Sequence, residues 1–399
     1  MENTPRANRI HIGIFGKCNS GKSSLVNALT GQSTAIVSDV AGTTTDVVSK
    51  SMELPGLGAV TFMDTAGLDD RSELGARRIE STRKAVERTD VAVMVFAGRP
   101  GREETEWSDM LRGRGIPVVA VLNKADAIDD SVAAVNAVAD ATGLEPVVVS
   151  SVTGEGIEVL RDAVVAAGRS AADEVTITGD LVSEGDVVML VMPQDSQAPR
   201  GRLILPQVQT IRELLDKRCT VISCVPENMS SCLAALAAPP KLIIPDSQVF
   251  AAVNGMTPPE SMLTSFSVLF ANYKGDIREF VAGAAAIDRL NEASRVLIAE
   301  ACTHAPAGED IGRVKIPNLL RKRVGMGLKI DVVGGSDFPD DLSEYDLIIH
   351  CGACMFNRRH VLSRIAKARE YGVPITNYGV TIAYLTGILG KVVYPGAGR

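Results

Sequence analysis

A glycine-rich loop near the start of the chain lies between an apolar run and a helical pattern, and this arrangement limits the possible folds more than any other feature. Ile10–Phe15 is typical of a short strand, the loop runs over Gly16–Ser23, and Ser24–Thr30 is typical of a helix. In this setting the loop amides and the helix N-terminus point at phosphate oxygens, Lys22 adds a positive charge, and the Ser23 hydroxyl is placed to bind Mg²⁺. The predicted phosphate contacts are Gly16, Lys17, Cys18, Asn19, Ser20, Gly21, Lys22, Ser23 and Ser24.

A second segment at the end of an apolar run adds metal and phosphate contacts. Val60–Met63 is predicted to be a strand, and it ends at Asp64–Gly67. We expect the Asp64 carboxylate to reach Mg²⁺ through water and the Gly67 amide to reach a γ-phosphate. Both residues follow the carboxyl end of a strand, where open α/β sheets bind their ligands.

Two further segments predict a guanine site. The apolar run Val118–Leu122 ends at Asn123–Asp126, and Val147–Val149 ends at Ser150 and Ser151. A carboxylate at Asp126 pairs with the N1–H and N2–H₂ edge of guanine, which adenine lacks, and a backbone amide in the later segment would meet guanine O6. The predicted base contacts are Asn123, Lys124, Asp126, Ser150 and Ser151.

These four segments resemble the G motifs of translation-factor-class GTPases in order and spacing. The segment Gly42–Asp46 is similar to switch I of the TrmE/Era-like branch. The resemblance implies that Thr44 is the second protein ligand of Mg²⁺ and that Asn19 helps to hold K⁺, as in the potassium-activated members.

Leu68 departs from the Ras-like pattern, which has a water-orienting glutamine after the corresponding glycine. An apolar side chain cannot orient water, so slow intrinsic hydrolysis is expected, with help from K⁺ or a partner. Asp69, Asp70 and Glu73 are weak candidates for an acidic contribution, and a solvated switch loop is the favoured explanation for them. No catalytic residue is assigned.

The chain is expected to contain three α/β domains: a P-loop GTPase domain over residues 1–170, a small central domain over 175–270 and a C-terminal domain over 271–399. The central domain alternates short strands with helices and contains no histidine. Its three cysteines have no tight ligand spacing and are interpreted as ordinary buried thiols. They are Cys219, Cys224 and Cys232. We expect this domain to serve dimerisation.

The C-terminal domain carries a second cluster of chemically distinctive side chains. A helical pattern over Ile287–Ala301 precedes Cys302 and His304, and a short strand over Leu347–Ile349 precedes His350-Cys351-Gly352-Ala353-Cys354. Three thiolates with up to two imidazoles fit either a [4Fe–4S] cluster with one unusual ligand or a Cys₃His zinc site.

This spacing, together with the order of the three domains, resembles the [FeFe]-hydrogenase maturation GTPases. The resemblance implies that Cys302, Cys351 and Cys354 bind a [4Fe–4S] cluster, with His304 (or His350) as fourth or nearby ligand. His304 is the stronger candidate because it lies next to Cys302. The resemblance also implies a homodimer that carries a diiron precursor as cargo, with radical-SAM maturases and the apo-[FeFe]-hydrogenase as partners.

Basic residues in this domain would favour a negatively charged cluster and a cyanide-bearing precursor. They are Arg313, Lys315, Arg321, Lys322, Arg323, Arg358 and Arg359. Arg358 and Arg359, just after Cys354, are the first to test.

Net charge and hydropathy limit the classes of protein to which this chain could belong. With 41 basic and 48 acidic side chains the net charge is −7, which argues against a broad nucleic-acid surface. No apolar run approaches the roughly 18 residues that span a bilayer, and the first residues are polar, so a cytoplasmic protein is expected. A TrmE-like tRNA-modification GTPase and a zinc-stabilised regulatory GTPase remain as alternatives.

Overall fold

The computed structural model describes residues 9–31, 47–70, 75–171, 175–194, 203–300, 310–335, 337–353 and 356–396. The chain divides into two compact units, residues 1–174 and 175–399. Both are built from strands alternating with helices, which confirms the α/β class. Along the described ranges, no helix combines the length and apolarity needed to cross a membrane.

The first unit is a six-stranded sheet with helices on both faces. Its strand order is β2-β3-β1-β4-β5-β6, and every pair is parallel except β2 with β3. The elements are β1 Ile10–Gly16, α1 Lys22–Thr30, β2 Val48–Leu54, β3 Gly58–Asp64, α2 Gly75–Val86, β4 Val91–Phe96, α3 Arg102–Gly113, β5 Val118–Leu122, α4 Ser131–Thr142, β6 Val147–Val148 and α5 Ile157–Ala171.

Alternating side chains divide the core of this unit into two layers. Ile12 and Ile14 of β1 pack with Leu25 of α1 on one face of the sheet. Phe15 packs on the other face with Met94 of β4 and further apolar residues. Because β3, β1, β4, β5 and β6 run parallel, their carboxyl ends meet at one edge of the sheet, and the sequence segments that carry the G motifs lie there.

The second unit contains two four-stranded parallel sheets. Their orders are β10-β9-β7-β8 and β12-β11-β13-β14. The elements are β7 Val187–Val191, α6 Leu205–Asp216, β8 Thr220–Cys224, α7 Met229–Ala234, β9 Leu242–Pro245, α8 Phe250–Met256, β10 Met262–Leu263, α9 Phe266–Lys274, α10 Ile277–Ala284, β11 Arg295–Ala299, α11 Ile316–Val324, β12 Lys329–Val333, β13 Leu347–His350, α12 Arg358–Glu370, β14 Ile375–Asn377 and α13 Tyr378–Leu385.

Both sheets share one strand order. The first strand is central, the second lies on one side of it, and the third and fourth lie on the other side. The direction of winding therefore reverses between β7 and β9 and again between β11 and β13, and such reversal points form ligand crevices at the carboxyl ends of the strands. Cys351 follows β13 directly at the second reversal point, whereas Asp246 has the corresponding position after β9.

The helix predicted over Ile287–Ala301 is wrong. A 3₁₀ turn covers Ala285–Arg289, and β11 begins at Arg295. Between them the Asn291 side chain accepts the Ala293 N–H at 2.9 Å, a local turn that competes with helix formation. Residues 296–299 of β11 are apolar and buried on both faces of the sheet. A continuous apolar run of this kind is as typical of a buried helix as of a central strand. In sequence, Cys302 and His304 therefore follow the end of a central strand.

Candidate functional site

The phosphate loop joins the end of β1 to the start of α1 and is closed around the Lys22 ammonium. Lys22 Nζ donates to the carbonyls of Gly16 at 3.0 Å and Lys17 at 2.8 Å. Asn19 at φ +60° and Gly21 at φ +90° give the loop its tight curvature. Burial lowers the pKa of Lys22, and nearby carboxylates act in the opposite direction.

Asn123 ties the phosphate loop to the segment after β6. Its Nδ2 donates to the Ser20 carbonyl at 3.0 Å, and its Oδ1 accepts the Ser151 hydroxyl at 2.8 Å. The Ser151 amide donates to the same oxygen at 3.2 Å. A Cβ at Gly21 would lie 2.3 Å from Asn123 Nδ2, so this close approach requires glycine. Asn123 therefore links the phosphate loop to the segment that contains Ser151 through hydrogen bonds.

The predicted base site is built at the end of β5. Asp126 is solvent-exposed, and its Oδ1 accepts the hydroxyl of the buried Ser150 at 2.6 Å. Lys124 adopts φ +63° between Asn123 and this carboxylate. The hydrogen bond fixes the carboxylate orientation, which a bidentate contact with the guanine edge requires.

Two of the three predicted Mg²⁺ ligands lie together. Ser23 Oγ donates to Asp64 Oδ2 at 2.5 Å, and burial raises the pKa of that carboxyl while the hydrogen bond from Ser23 acts to lower it. A hydroxyl and a carboxylate are the hard oxygen donors that Mg²⁺ prefers, so these residues fit the ion. Thr44 lies outside the described residues.

The segment after β3 packs directly on the phosphate loop. A Cβ at Gly67 would lie 2.2 Å from Cys18 Sγ, so only glycine fits there. Leu68 is buried in the core with Phe15 and does not face solvent, in agreement with its exclusion as a water-orienting residue. Asp70 pairs with Arg78 at 3.2 Å.

Asp69 accepts a hydrogen bond from the backbone of the phosphate loop. Its Oδ1 accepts the Cys18 N–H at 2.7 Å. Partial burial acts to raise the pKa of Asp69, but hydrogen bonds from the Cys18 amide and thiol outweigh it and hold the pKa below its ordinary value. Glu73 lies outside the described residues.

Glu104 is a contact of the phosphate loop that the sequence reasoning missed. This buried residue accepts the Gly101 N–H at 2.7 Å and pairs with Lys17 Nζ at 3.1 Å. The first of these bonds is half of a helix capping box at the start of α3. An acidic residue three positions after a helix-starting glycine is a detectable cap signal, but its ion pair with Lys17 depends on the fold.

In the C-terminal sheet, Cys351 is buried at the carboxyl end of β13. Its Sγ accepts the Ala353 N–H at 3.4 Å, and Ala353 adopts φ +50° to turn the chain there. Hydrogen bonds to sulfur stabilise thiolate ligands of iron–sulfur clusters, so this thiol fits the role assigned to it. Cys302, His304 and Cys354 lie outside the described residues. Among the residues that are described, no group of three metal-ligating side chains is found.

His350 is completely buried and both of its ring nitrogens contact protein groups. Nε2 accepts from Arg364 Nη1 at 3.0 Å, and since arginine is only a donor, the proton lies on Nδ1 and is donated to the Cys351 carbonyl at 2.7 Å. Arg364 also donates to the Gly335 carbonyl at 2.6 Å. Iron ligation by His350 would require these bonds to break, so His350 is the weaker of the two predicted histidine candidates.

Glu300, Arg313 and Tyr378 form a group linked through the Glu300 carboxylate; in the sequence, Glu300 precedes residues 301–309 and Arg313 follows them. Arg313 Nη2 lies 3.1 Å from Glu300 Oε2, and the Tyr378 hydroxyl donates to Glu300 Oε1 at 3.4 Å. Burial, with Cys351 and Glu300 nearby, raises the pKa of Tyr378. These contacts join the end of β11 to the start of the next described segment.

Several of the predicted basic residues have structural partners. Arg323 pairs with Asp288 at 2.5 Å and Arg313 with Glu300. Arg358 Nη1 donates to the carbonyls of Asn272 at 2.7 Å and Tyr273 at 3.1 Å, and also to that of Gly275, at the C-terminal end of α9. Arg358 is thus a cap of a neighbouring helix.

Replacing Arg358 with alanine should lower thermal stability because three carbonyls lose a charged donor. Hydrogen bonds to charged groups contribute about 1.5–3 kcal/mol each and are not additive, so a loss of about 2–3 kcal/mol is expected. Thermal unfolding followed by circular dichroism measures it, with the exposed Lys322→Ala as control. Equal melting temperatures for the two variants would contradict this role.

The surroundings of Cys219 and Cys224 in the central domain do not favour metal binding. Cys219 Sγ donates to the Ser183 carbonyl at 3.3 Å. Burial and the adjacent Cys232 thiol raise the pKa of Cys224 to about 11, which disfavours the thiolate that a metal would bind.

Known proteins match this chain in three segments. Residues 177–275 match the family model of the hydrogen maturase F dimerization domain, and residues 278–395 match the model of the hydrogen maturase F tetramerization domain. Together these two models cover more than half of the chain. The chain belongs to the hydrogen maturase F family. Its first unit carries a GTPase domain, since residues 11–124 match the 50S ribosome-binding GTPase model. Because the family's domains include a tetramerization domain, association beyond the expected dimer belongs to the family's architecture.

Curated relatives share only part of their length with the chain. GTPase Der of Kosmotoga olearia is 34% identical over 128 residues, which are 30% of this chain and 29% of that protein. The tRNA modification GTPase MnmE of Chromobacterium violaceum is 36% identical over 168 residues, which are 41% of this chain and 36% of that protein. The chain thus spans about a third of the length of these relatives.

Solved structures of GTPases are also similar. Era of Aquifex aeolicus, bound to GDP and AlF₄⁻, is 20% identical with a TM-score of 0.34, and the match covers 54% of this chain and 92% of that one.

Proposed function

We propose that this chain is a GTP-hydrolysing scaffold that binds a [4Fe–4S] cluster, carries a diiron precursor and delivers it to an apo-[FeFe]-hydrogenase. The observation that supports this most strongly is the position of Cys351. It lies at the winding reversal of the C-terminal sheet, in a chain whose residues 177–275 and 278–395 match the two hydrogen maturase F domains. The three domains assigned from the sequence, 1–170, 175–270 and 271–399, are kept in this proposal.

The residues proposed for the cluster are Cys302, Cys351 and Cys354, with His304 as fourth or nearby ligand. When bound, such a cluster supplies an iron position with an exchangeable ligand, to which a bridging group of a precursor can attach. The chain's own contribution at the described ligand is to bury the thiol and to donate the Ala353 amide to it. Arg364 holds His350 away from solvent through Nε2.

The nucleotide half is proposed to act as a switch. Mg²⁺ would be held by Ser23, by Asp64 through water and by Thr44, while Asn19 would contribute to a K⁺ site. Lys22 neutralises phosphate charge and Asp126 selects guanine. The proposed partners are the radical-SAM maturases that build the diiron unit and the hydrogenase that receives it, with GTP state controlling their release from a homo-oligomer in the cytoplasm.

Hydrogenase activation in a defined mixture tests this proposal. The chain is produced together with radical-SAM maturases, purified anaerobically and incubated with apo-[FeFe]-hydrogenase, and hydrogen evolution is then followed over time. We expect activation by the wild-type chain and slower or incomplete activation by Ser23→Ala, which loses a Mg²⁺ ligand. Lys322→Ala serves as a surface control.

The outcomes separate two parts of the proposal. No activation by the wild-type chain, with cluster and precursor present, would contradict delivery of the diiron unit. Equal rates and yields for wild type and Ser23→Ala, with nucleotide binding lost in the variant, would contradict only the coupling to GTP.

A further inference from the structure

The contact between Asp69 and the phosphate loop brings an anion to a place where phosphate is expected. Asp69 Oδ1 lies 2.7 Å from the Cys18 nitrogen. Amides of such loops are the groups that bind phosphate oxygens in nucleotide sites. A side-chain carboxylate on this amide therefore holds a position that a phosphate oxygen would otherwise use or closely approach.

The packing of Gly67 on Cys18 indicates that the γ-phosphate is the phosphate nearest to the Cys18 amide. Gly67, whose amide is expected to reach a γ-phosphate, is pressed against Cys18, with its ideal Cβ position 2.7 Å from the Cys18 nitrogen. The Cys18 amide and Gly67 therefore border the same end of the site. A triphosphate places additional negative charge there, while a diphosphate does not.

Two other acidic side chains near the phosphate loop form ion pairs with basic side chains. Asp70 pairs with Arg78 at 3.2 Å, and Glu104 pairs with Lys17 at 3.1 Å. Lys22 donates to two loop carbonyls. The Asp69 carboxylate, by its bond to the Cys18 amide, acts directly on the loop backbone.

We infer that Asp69 is a selectivity residue that lowers the affinity of this GTPase for GTP relative to GDP. Its carboxylate and the γ-phosphate repel each other at the Cys18 end of the loop, so GTP binding requires Asp69 to leave the amide. Since Asp69 is only two residues after Gly67, its release would shift the segment that contacts the γ-phosphate. The same residue would then link the third phosphate to movement of the chain after β3.

Calorimetry with GDP and with the slowly hydrolysed analogue GTPγS, both with Mg²⁺, tests the inference on the full chain. Asp69→Asn removes the charge but keeps an oxygen that accepts the Cys18 N–H. We expect the ratio of the dissociation constant for GDP to that for GTPγS to rise about tenfold, which corresponds to about 1.4 kcal/mol. The GDP constant itself should change by less than about threefold.

Asp70→Asn is the matched control, since it removes an adjacent carboxylate that pairs with Arg78 at 3.2 Å. Its ratio should stay at the wild-type value, and Asp69→Glu should retain most of the wild-type ratio. An unchanged ratio in Asp69→Asn, with a wild-type melting temperature, would overturn the inference. One form of that result is an equal gain in affinity for GDP and GTPγS. It would show that the charge of Asp69 repels nucleotides in general and does not compete with the third phosphate.

Discussion

Replacing Cys351 with serine should remove most of the iron bound by the chain and leave GTP hydrolysis within about twofold of wild type. The hydroxyl of serine is a poor substitute for a thiolate, which is the preferred ligand of iron–sulfur clusters. Hydrolysis should persist because Cys351 belongs to the unit of residues 175–399, whereas the described P-loop residues belong to residues 1–174. Iron and acid-labile sulfide per chain are measured after anaerobic reconstitution, and phosphate release is measured on the same preparation.

Cys219→Ser is the matched control for this experiment. Cys219 is also buried in the second unit, but its thiol bonds the Ser183 carbonyl and it has no proposed ligand role. The control should keep a wild-type iron content. Full iron binding by Cys351→Ser would remove Cys351 from the ligand set, and joint loss of iron and of folding in both cysteine variants would show that the effect is one of stability.

Replacing Asp126 with asparagine should change base preference from guanine to xanthine. The carboxylate accepts two hydrogen bonds from the guanine edge, and an asparagine carries one acceptor and one donor, which matches the xanthine edge instead. Bonds to charged groups contribute about 1.5–3 kcal/mol each, so the affinity for guanine nucleotides should fall by on the order of a hundredfold while the affinity for xanthine nucleotides rises. Competition binding with GDP and XDP measures both changes.

Asp129→Asn provides the control, because Asp129 is exposed on the same loop and has no proposed contact with the base. It should bind GDP as the wild type does. Unchanged selectivity for guanine in Asp126→Asn would contradict the assignment of the base site, and the fixed position of the carboxylate beside Ser150 would then serve only the fold.

The strands and loops that carry the G motifs were largely predictable from the sequence because local motifs and local structure agree there. Each G motif follows an apolar run that forms a strand, and a parallel sheet brings strand ends to one edge. The structure joins the loop, Asn123 and Ser151 through hydrogen bonds of 2.8–3.2 Å. What the motifs did not predict is the contact of Asp69 with Cys18, since a residue 51 positions later reaches the loop only through the fold.

The C-terminal sheet was less predictable, for two physical reasons. Residues 296–299 are buried on both faces, and a continuous apolar run does not distinguish a central strand from a buried helix. The bond from Arg364 to His350 joins a helix to a strand end 14 residues earlier, and spacing alone does not reveal it. An arginine within the apolar stripe of Val361, Ile365 and Ala368 is the signal that could have indicated a buried partner.

Metal analysis of the anaerobically purified chain distinguishes an iron–sulfur cluster from a structural zinc site. Iron, acid-labile sulfide and zinc are quantified per chain, and electron paramagnetic resonance is recorded after reduction with dithionite. We expect about four irons and about four sulfides per chain, with the signal of a reduced [4Fe–4S] cluster. Stoichiometric zinc with no reducible cluster after reconstitution would contradict it and would make the cysteine and histidine site a structural zinc site in a GTPase.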